Sequence, residues 1–385
     1  PSADFCRGAE PGRKRLRWYA EDVHHFVFAL SPDYRYEGGG FGDAAVHVLY
    51  QAANAPAWGR VAVERTEAAM AWLEQLFGPY AWPQLSNVER IEPGGGTEFP
   101  MLFLDDSPDE GLILHEAGHM YVQGILANNE WRLAWLDEGF ANFQRTWLYQ
   151  RLGRPTSYQR SEAEILNLDL DDYSEPVGMP ATAFRDYWSY YRMSYTRGEL
   201  FFHQLRYIVG DDTMLRILRT YYDRWKLKHV DEAAFRAVAE EVSGRDLSAF
   251  FAQWLHTTDL YDYAVGKVET RRNGNGAAPG GGPALKGWST RVEVVRKGPG
   301  QIPIEVAVLA ERDTTVVRTD GVAEREWVEV PTDSRPRAVL LDPRVLAHDW
   351  NMLNNRHRIG FSLSTVTAYP PATEIYFHPY FSTRS

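Results

Sequence analysis

Apolar residues recur at three- and four-residue intervals over VAVERTEAAMAWLEQLFG (61–78), and again almost without a break from about 135 to 256. That period belongs to helices with one buried face. Gly78 closes the first stretch, and Gly153, Gly210 and Gly244 stand where helix C-caps are expected. VHVLY (46–50), NVERIE and MLFLDD predict short strands, with the glycine-rich GGGTEFP between the last two. DSPDEGLILHEAGHMYVQG predicts a helix with Ser107 as N-cap and Pro108 at the first helical position, where a missing N–H costs nothing. Beyond 260 the pattern changes to short β-branched runs, RVEVVRKG, IPIEVAVLA, EWVEV and RAVLLD, separated by Gly, Pro and Asp. These predict a small antiparallel β-domain, with NGNGAAPGGGPAL (273–285) as a hairpin loop inside it.

Composition narrows the class of protein. A chain of 385 residues with 44% hydrophobic content buries a sizeable core and suggests two or three domains. Its 52 acids against 41 bases, with no long basic block, argue against nucleic acid as a partner. The single cysteine, Cys6, excludes an internal disulfide and a zinc-ribbon site. No apolar run approaches the ~20 residues of a membrane span, and residues 1–30 lack the pattern of a signal peptide. The chain starts Pro-Ser-Ala without an initiator Met and ends on an aromatic-rich stretch, the pattern of a piece of a longer protein.

The chemistry concentrates in HEAGH (115–119). Two histidines four residues apart on a helix lie on one face, roughly 40° apart and about 6 Å along the axis, so both imidazoles reach one ion. Zinc with catalytic work to do takes three protein ligands, so a third is required. Glu138 in WLDEGFANF supplies a candidate, with residues 120 to 137, eighteen in all, leaving room for the chain to turn. Glu116, between the histidines, is the candidate general base that takes a proton from the attacking water and passes it to the leaving amine.

HEAGH, the eighteen-residue gap and WLDEGFA together resemble the gluzincin zinc peptidases of the aminopeptidase N family. GGGTEFP resembles that family's glycine-rich GxMEN motif, and SYTRGELFFHQLRYIVG its YxKG block. The resemblance implies an α+β fold: a thermolysin-like, mostly helical catalytic domain with a small mixed sheet, followed by an all-β sandwich. It implies one Zn2+ held by His115, His119 and Glu138, Glu116 as base, and Tyr195 as the hydroxyl that stabilises the oxyanion. Glu98 would hold the substrate's α-amino group, and Gly95 and Gly96 would let peptide backbone lie against the strand edge.

The sequence departs from the family pattern in places. Thr97-Glu98-Phe99 stands where Met-Glu-Asn is frequent, Tyr121 where Trp is usual, and Asp137 where Asn is common. Residues 1–40 are expected to be a leading segment at the end of an N-terminal β-domain that this chain lacks and that would otherwise be a partner. Residues 41–260 would be the peptidase domain, 261–355 the β-sandwich, and 356–385 a tail of unassigned role. The expected reaction removes N-terminal residues from peptides. An endopeptidase of the same fold and a non-catalytic binding protein on a peptidase fold are the alternatives. Family resemblance leans towards a bacterial periplasmic or secreted location over a cytoplasmic one.

Overall fold

The computed structural model describes residues 18–273 and 287–359, and the backbone of the strands Thr365–Thr367 and Ile375–Phe377. The RKRLR cluster, most of the 273–285 loop and the 369–381 aromatic stretch lie largely outside the described residues. Contacts divide the chain into two units, Pro1–Glu130 with Leu218–Asp231, and Trp131–Ile217 with Glu232–Ser385.

The first unit is a mixed sheet with helices. Strands β1 (Tyr34–Phe41) and β2 (Ala44–Gln51) form a hairpin turned at Gly42, whose φ is +54°. Helix α1 (Gly59–Leu76) carries the chain across to β3 (Gln84–Glu89), which runs parallel to β2. β4 (Gly96–Phe99) pairs antiparallel with β5 (Leu102–Asp105), and β5 runs parallel to β3, giving the order β1-β2-β3-β5-β4. Alternate residues of β2, Ala44, Val46, Val48 and Tyr50, are buried, and α1 contributes Val63, Met70 and Leu73 to the core. The glycine run Gly38–Gly40 belongs to β1 rather than to an irregular leader. A Cβ on Gly39 would overlap Val63 and Glu67 of α1, so the helix can lie on the strand only where the side chain is missing.

Helix α2 (Glu110–His119) follows β5, and the pair β6 (Leu126–Ala127) and β7 (Lys228–His229) runs parallel. Asp109, not Ser107, caps α2: its extended backbone lets the carboxylate accept from the N–H groups of Gly111 and Leu112, at 2.8 and 3.1 Å. Pro108 therefore lies outside the helix, and its carbonyl accepts from Arg65. The helix is also shorter than its apolar period predicts. The chain folds back so that Gly124 donates to the His119 carbonyl at 2.8 Å, through Gln123 at φ +102°. A Cβ on Gly124 would stand 2.8 Å from the Met120 carbonyl oxygen.

The second unit holds α3 (Glu130–Ala134), α4 (Phe140–Arg151), α5 (Tyr158–Leu170), α6 (Tyr187–Tyr191), α7 (Gly198–Val209) and the start of α8 (Asp211–Trp225). α9 (Glu232–Ser243) and α10 (Ser248–His256) follow. Gly153, Gly210 and Gly244 take positive φ at the helix ends, as their positions predict. Phe140, Phe143, Phe201, Phe202, Phe235 and Phe251 pack as a ring cluster in the core.

The β-rich part of this unit contains β8 (Tyr263–Arg272), β9 (Trp288–Arg296), β10 (Ile304–Ala310), β11 (Thr314–Thr319), β12 (Arg325–Thr332), β13 (Pro336–Leu341) and β14 (Arg356–Arg358). They form two antiparallel sheets, β11-β10-β13-β14 and β12-β9-β8, with Val292, Val294, Ile304, Val306, Val308 and Val339 buried. β8 and β11 are strands that the sequence pattern did not single out. The fold is mixed, a helical part and a β-sheet part, as the resemblance implies.

Candidate active site

In the first unit, the HEAGH residues are buried. His115 is 9% exposed, Glu116 4% and His119 0%, so this is not a solvated helix face. The Nε2 atoms of His115 and His119 lie 3.3 Å apart, with their rings at 78° to one another. Two imidazole nitrogens at that separation suit bonds of ~2.0–2.1 Å to one tetrahedral ion. Around them Glu98, Glu116 and His119 offer ligand atoms that all lie within 4.8 Å of one another. Glu98 and Glu116 therefore converge on one histidine.

Strand β4 brings Glu98 there, and its glycines set the distance. Gly94 and Gly95 take φ of +145° and +81°, which a side chain would strain. Asp106 holds that turn: one carboxylate oxygen accepts from Gly94 N–H at 2.9 Å and from Gly95 N–H at 2.8 Å. Those two backbone bonds hold the Asp106 carboxyl below its ordinary pKa. Gly96 is constrained differently, because a Cβ there would overlap the Glu116 carboxyl. Sequence reasoning passed over Asp106 as the end of a strand, although an acid just after a strand and near a glycine run is a signal for a pinned turn. Tyr121, the substitution for the usual Trp, is a core residue; it stacks on Phe77 at 5.2 Å and donates to the Gly78 carbonyl at 2.8 Å.

In the second unit, Glu138 and Tyr195 each sit in a π-helical turn, Trp135–Gly139 and Arg192–Arg197. The Tyr195 hydroxyl donates to a Glu138 carboxylate oxygen. Asn142 Nδ2 donates to the Tyr195 carbonyl at 3.3 Å, and Tyr191 stacks on the Tyr195 ring at 4.6 Å. The Glu138 N–H donates to Asp137 Oδ1 at 2.7 Å, so the acid that replaces Asn orients the turn by accepting. His203 is buried between Phe143 and Tyr158 with Glu199 3.7 Å away, the setting of a core histidine.

The two turns meet backbone to backbone. A Cβ on Gly139 would stand 2.6 to 2.9 Å from the Gly198 backbone. Gly139→Ala is expected to cost about 1–3 kcal/mol through overpacking, read as a lowered midpoint in denaturant unfolding with an unchanged slope. An unchanged midpoint would show that the turns separate freely.

Comparison with known proteins finds relatives for this chain. The Peptidase family M1 domain matches residues 105–254, which include both histidines, Glu116, Glu138 and Tyr195. A leucine aminopeptidase 2 of Aspergillus oryzae is 25% identical over 283 residues, 65% of this chain and 43% of its own. Aminopeptidase B of Rattus norvegicus is 25% identical over 185 residues, 43% of this chain and 28% of its own. The crystal structure of Legionella pneumophila aminopeptidase A in complex with aspartic acid shares the fold, with a TM-score of 0.63 at 15% identity over 82% of this chain and 38% of that one. The chain thus spans less than half the length of these relatives. As the resemblance to the aminopeptidase N family implies, residues 105–254 of this chain match the peptidase family M1 domain.

Proposed function

We propose that this chain is a zinc-dependent aminopeptidase that hydrolyses the first peptide bond of peptides with a free N-terminus. One observation carries the reading: His115 and His119, both buried, present their Nε2 atoms 3.3 Å apart, the separation that two ligands of one zinc ion take, and the family pattern supplies Glu138 as the third ligand. Two imidazoles and a carboxylate are a donor set that suits zinc, and a bound zinc would supply Lewis-acid polarisation and a water of lowered pKa. Glu116 takes the proton of the attacking water and returns it to the departing amine. Tyr195 donates its hydroxyl to the oxygen on which charge develops. Glu98 holds the α-ammonium group, and the edge strand β4 receives the peptide backbone. Residues 41–260 are the peptidase domain in this reading and 261–355 its sandwich; an N-terminal β-domain, as a separate partner, would add a second acid at the amine.

Among the described residues no helix is long and apolar enough to cross a membrane. The test pairs fluorogenic peptides in free-amine and N-acetylated forms, with metal content determined on the same sample. Cleavage of the free-amine series alone is expected. Glu98→Gln should lower kcat/KM on it roughly 10- to 100-fold, the worth of one charge-assisted hydrogen bond. Equal cleavage of the acetylated series would make the protein an endopeptidase and remove the role given to Glu98.

A further inference from the structure

Behind the turn that carries Tyr195, the second unit buries four ionisable side chains in a row. Arg197, two residues after Tyr195, pairs with Asp169 of α5, and both side chains are 1% exposed. The other Asp169 oxygen lies 3.3 Å from Nε2 of His348, and Nδ1 of the same ring lies 2.7 Å from Glu162, also on α5. His348 comes from the segment after β13. Its ring packs against Trp254 at 5.0 Å and Tyr261 at 6.1 Å, and the Arg197 guanidinium lies 5.5 Å from the Trp254 ring.

Two buried carboxylates facing both nitrogens of one imidazole are satisfied together only by the doubly protonated ring. With that proton in place the four groups sum to zero, and buried charges are tolerable when they are paired in this way. Arg197 is then fixed, since moving it would leave Asp169 short of its partner at a high cost. The turn Arg192–Arg197 is fixed with it, and Tyr195 rides on that turn with its hydroxyl on Glu138.

We propose that the buried row Glu162–His348–Asp169–Arg197 is a positioning device for Tyr195, which makes His348, a residue of the β-rich part, a determinant of turnover. The consequence for turnover rests on the reading of Tyr195 given above; the control of the turn does not. The groups facing His348 are Glu162 and Asp169 from α5, with Arg197 behind Asp169 and the rings of Trp254 and Tyr261; the neighbouring Asp349 is engaged with the Tyr263 and Asn351 N–H groups and with Asn355. Burial opposes the charge on His348, but the Glu162 charge and the bonds to Asp169 and Glu162 outweigh it and raise its pKa to about 9. A pKa raised in the folded state gives stabilisation that is full below the unfolded value of ~6.5. It is lost as pH rises through about 9.

The test measures hydrogen-exchange protection over residues 192–198, corrected for intrinsic rates, from about pH 7 to about pH 10, in the full chain and in Glu162→Gln. Protection should fall on the alkaline side, with a midpoint moved down by roughly one unit or more in the variant, because one of the two charges favouring the proton is gone. Peptide turnover should follow, with kcat falling on the same limb while KM stays. A coincident midpoint in the two proteins overturns the proposal. Should the variant fail to fold, the parent alone decides, since protection that stays flat to about pH 10 overturns it equally. A shifted midpoint in a protein that cleaves no peptide would uphold the positioning device and remove the peptidase reading instead.

Discussion

Glu116→Gln is expected to lower kcat on a free-amine peptide by roughly 10²–10⁴-fold while bound zinc per chain stays the same. The amide keeps the size of the carboxylate and has no proton affinity to offer the attacking water. It is also not one of the three ligands that the proposed reading assigns to zinc, so metal uptake should not depend on it. Glu116 is 4% exposed, and a neutral side chain in its place removes a buried charge, so the fold has no reason to weaken. The measurement is a paired one, steady-state turnover and metal content on the same preparation. Retained turnover would dismiss Glu116 as the base; lost metal would make it a ligand or a support of one.

The second large effect comes from a residue with no side chain. Gly96→Ala places a methyl group where the Glu116 carboxyl lies, and the backbone of β4 is held by its antiparallel pairing with β5, Gly96 opposite Asp105. The carboxylate is the part that gives. A displacement of about 1 Å in a catalytic group costs on the order of 10²-fold. The expected result is therefore that loss in kcat, with zinc content and thermal midpoint close to those of the parent. Full activity would show that Glu116 works from a different position than the one seen here. A lost fold would place the strain in the strand and not in the side chain.

Much of this was legible in the sequence, for local reasons. The helices of the second unit were readable because Gly153, Gly210 and Gly244 punctuate a regular apolar period, and each takes the positive φ expected of it. HEAGH was readable because a four-residue spacing on a helix fixes which side chains share a face. What failed was also local. The cap of α2 was misplaced by two residues, since Ser107, Asp109 and Pro108 all carry start signals and only the geometry of the carboxylate chooses among them. The β1 glycines read as part of the leading segment because nothing in them reveals that a helix lies across the strand. The row through His348 was invisible for the opposite reason: its members are spread between 162 and 348, at spacings that follow no period.

Glu138 and Tyr195 both stand in turns wound one residue wider than an α-helix. Such a turn is equivalent to a single inserted residue, and it turns every following side chain by roughly 100° relative to the helix without it. The carboxylate and the hydroxyl therefore face each other only because two helices each carry one residue too many. Removing either residue would leave a more regular helix, and so a locally better-wound chain, with a site whose two groups point apart. A sequence shaped for thermal stability alone would favour that repair, so two irregular turns side by side mark a region whose geometry serves what it does and not how well it holds.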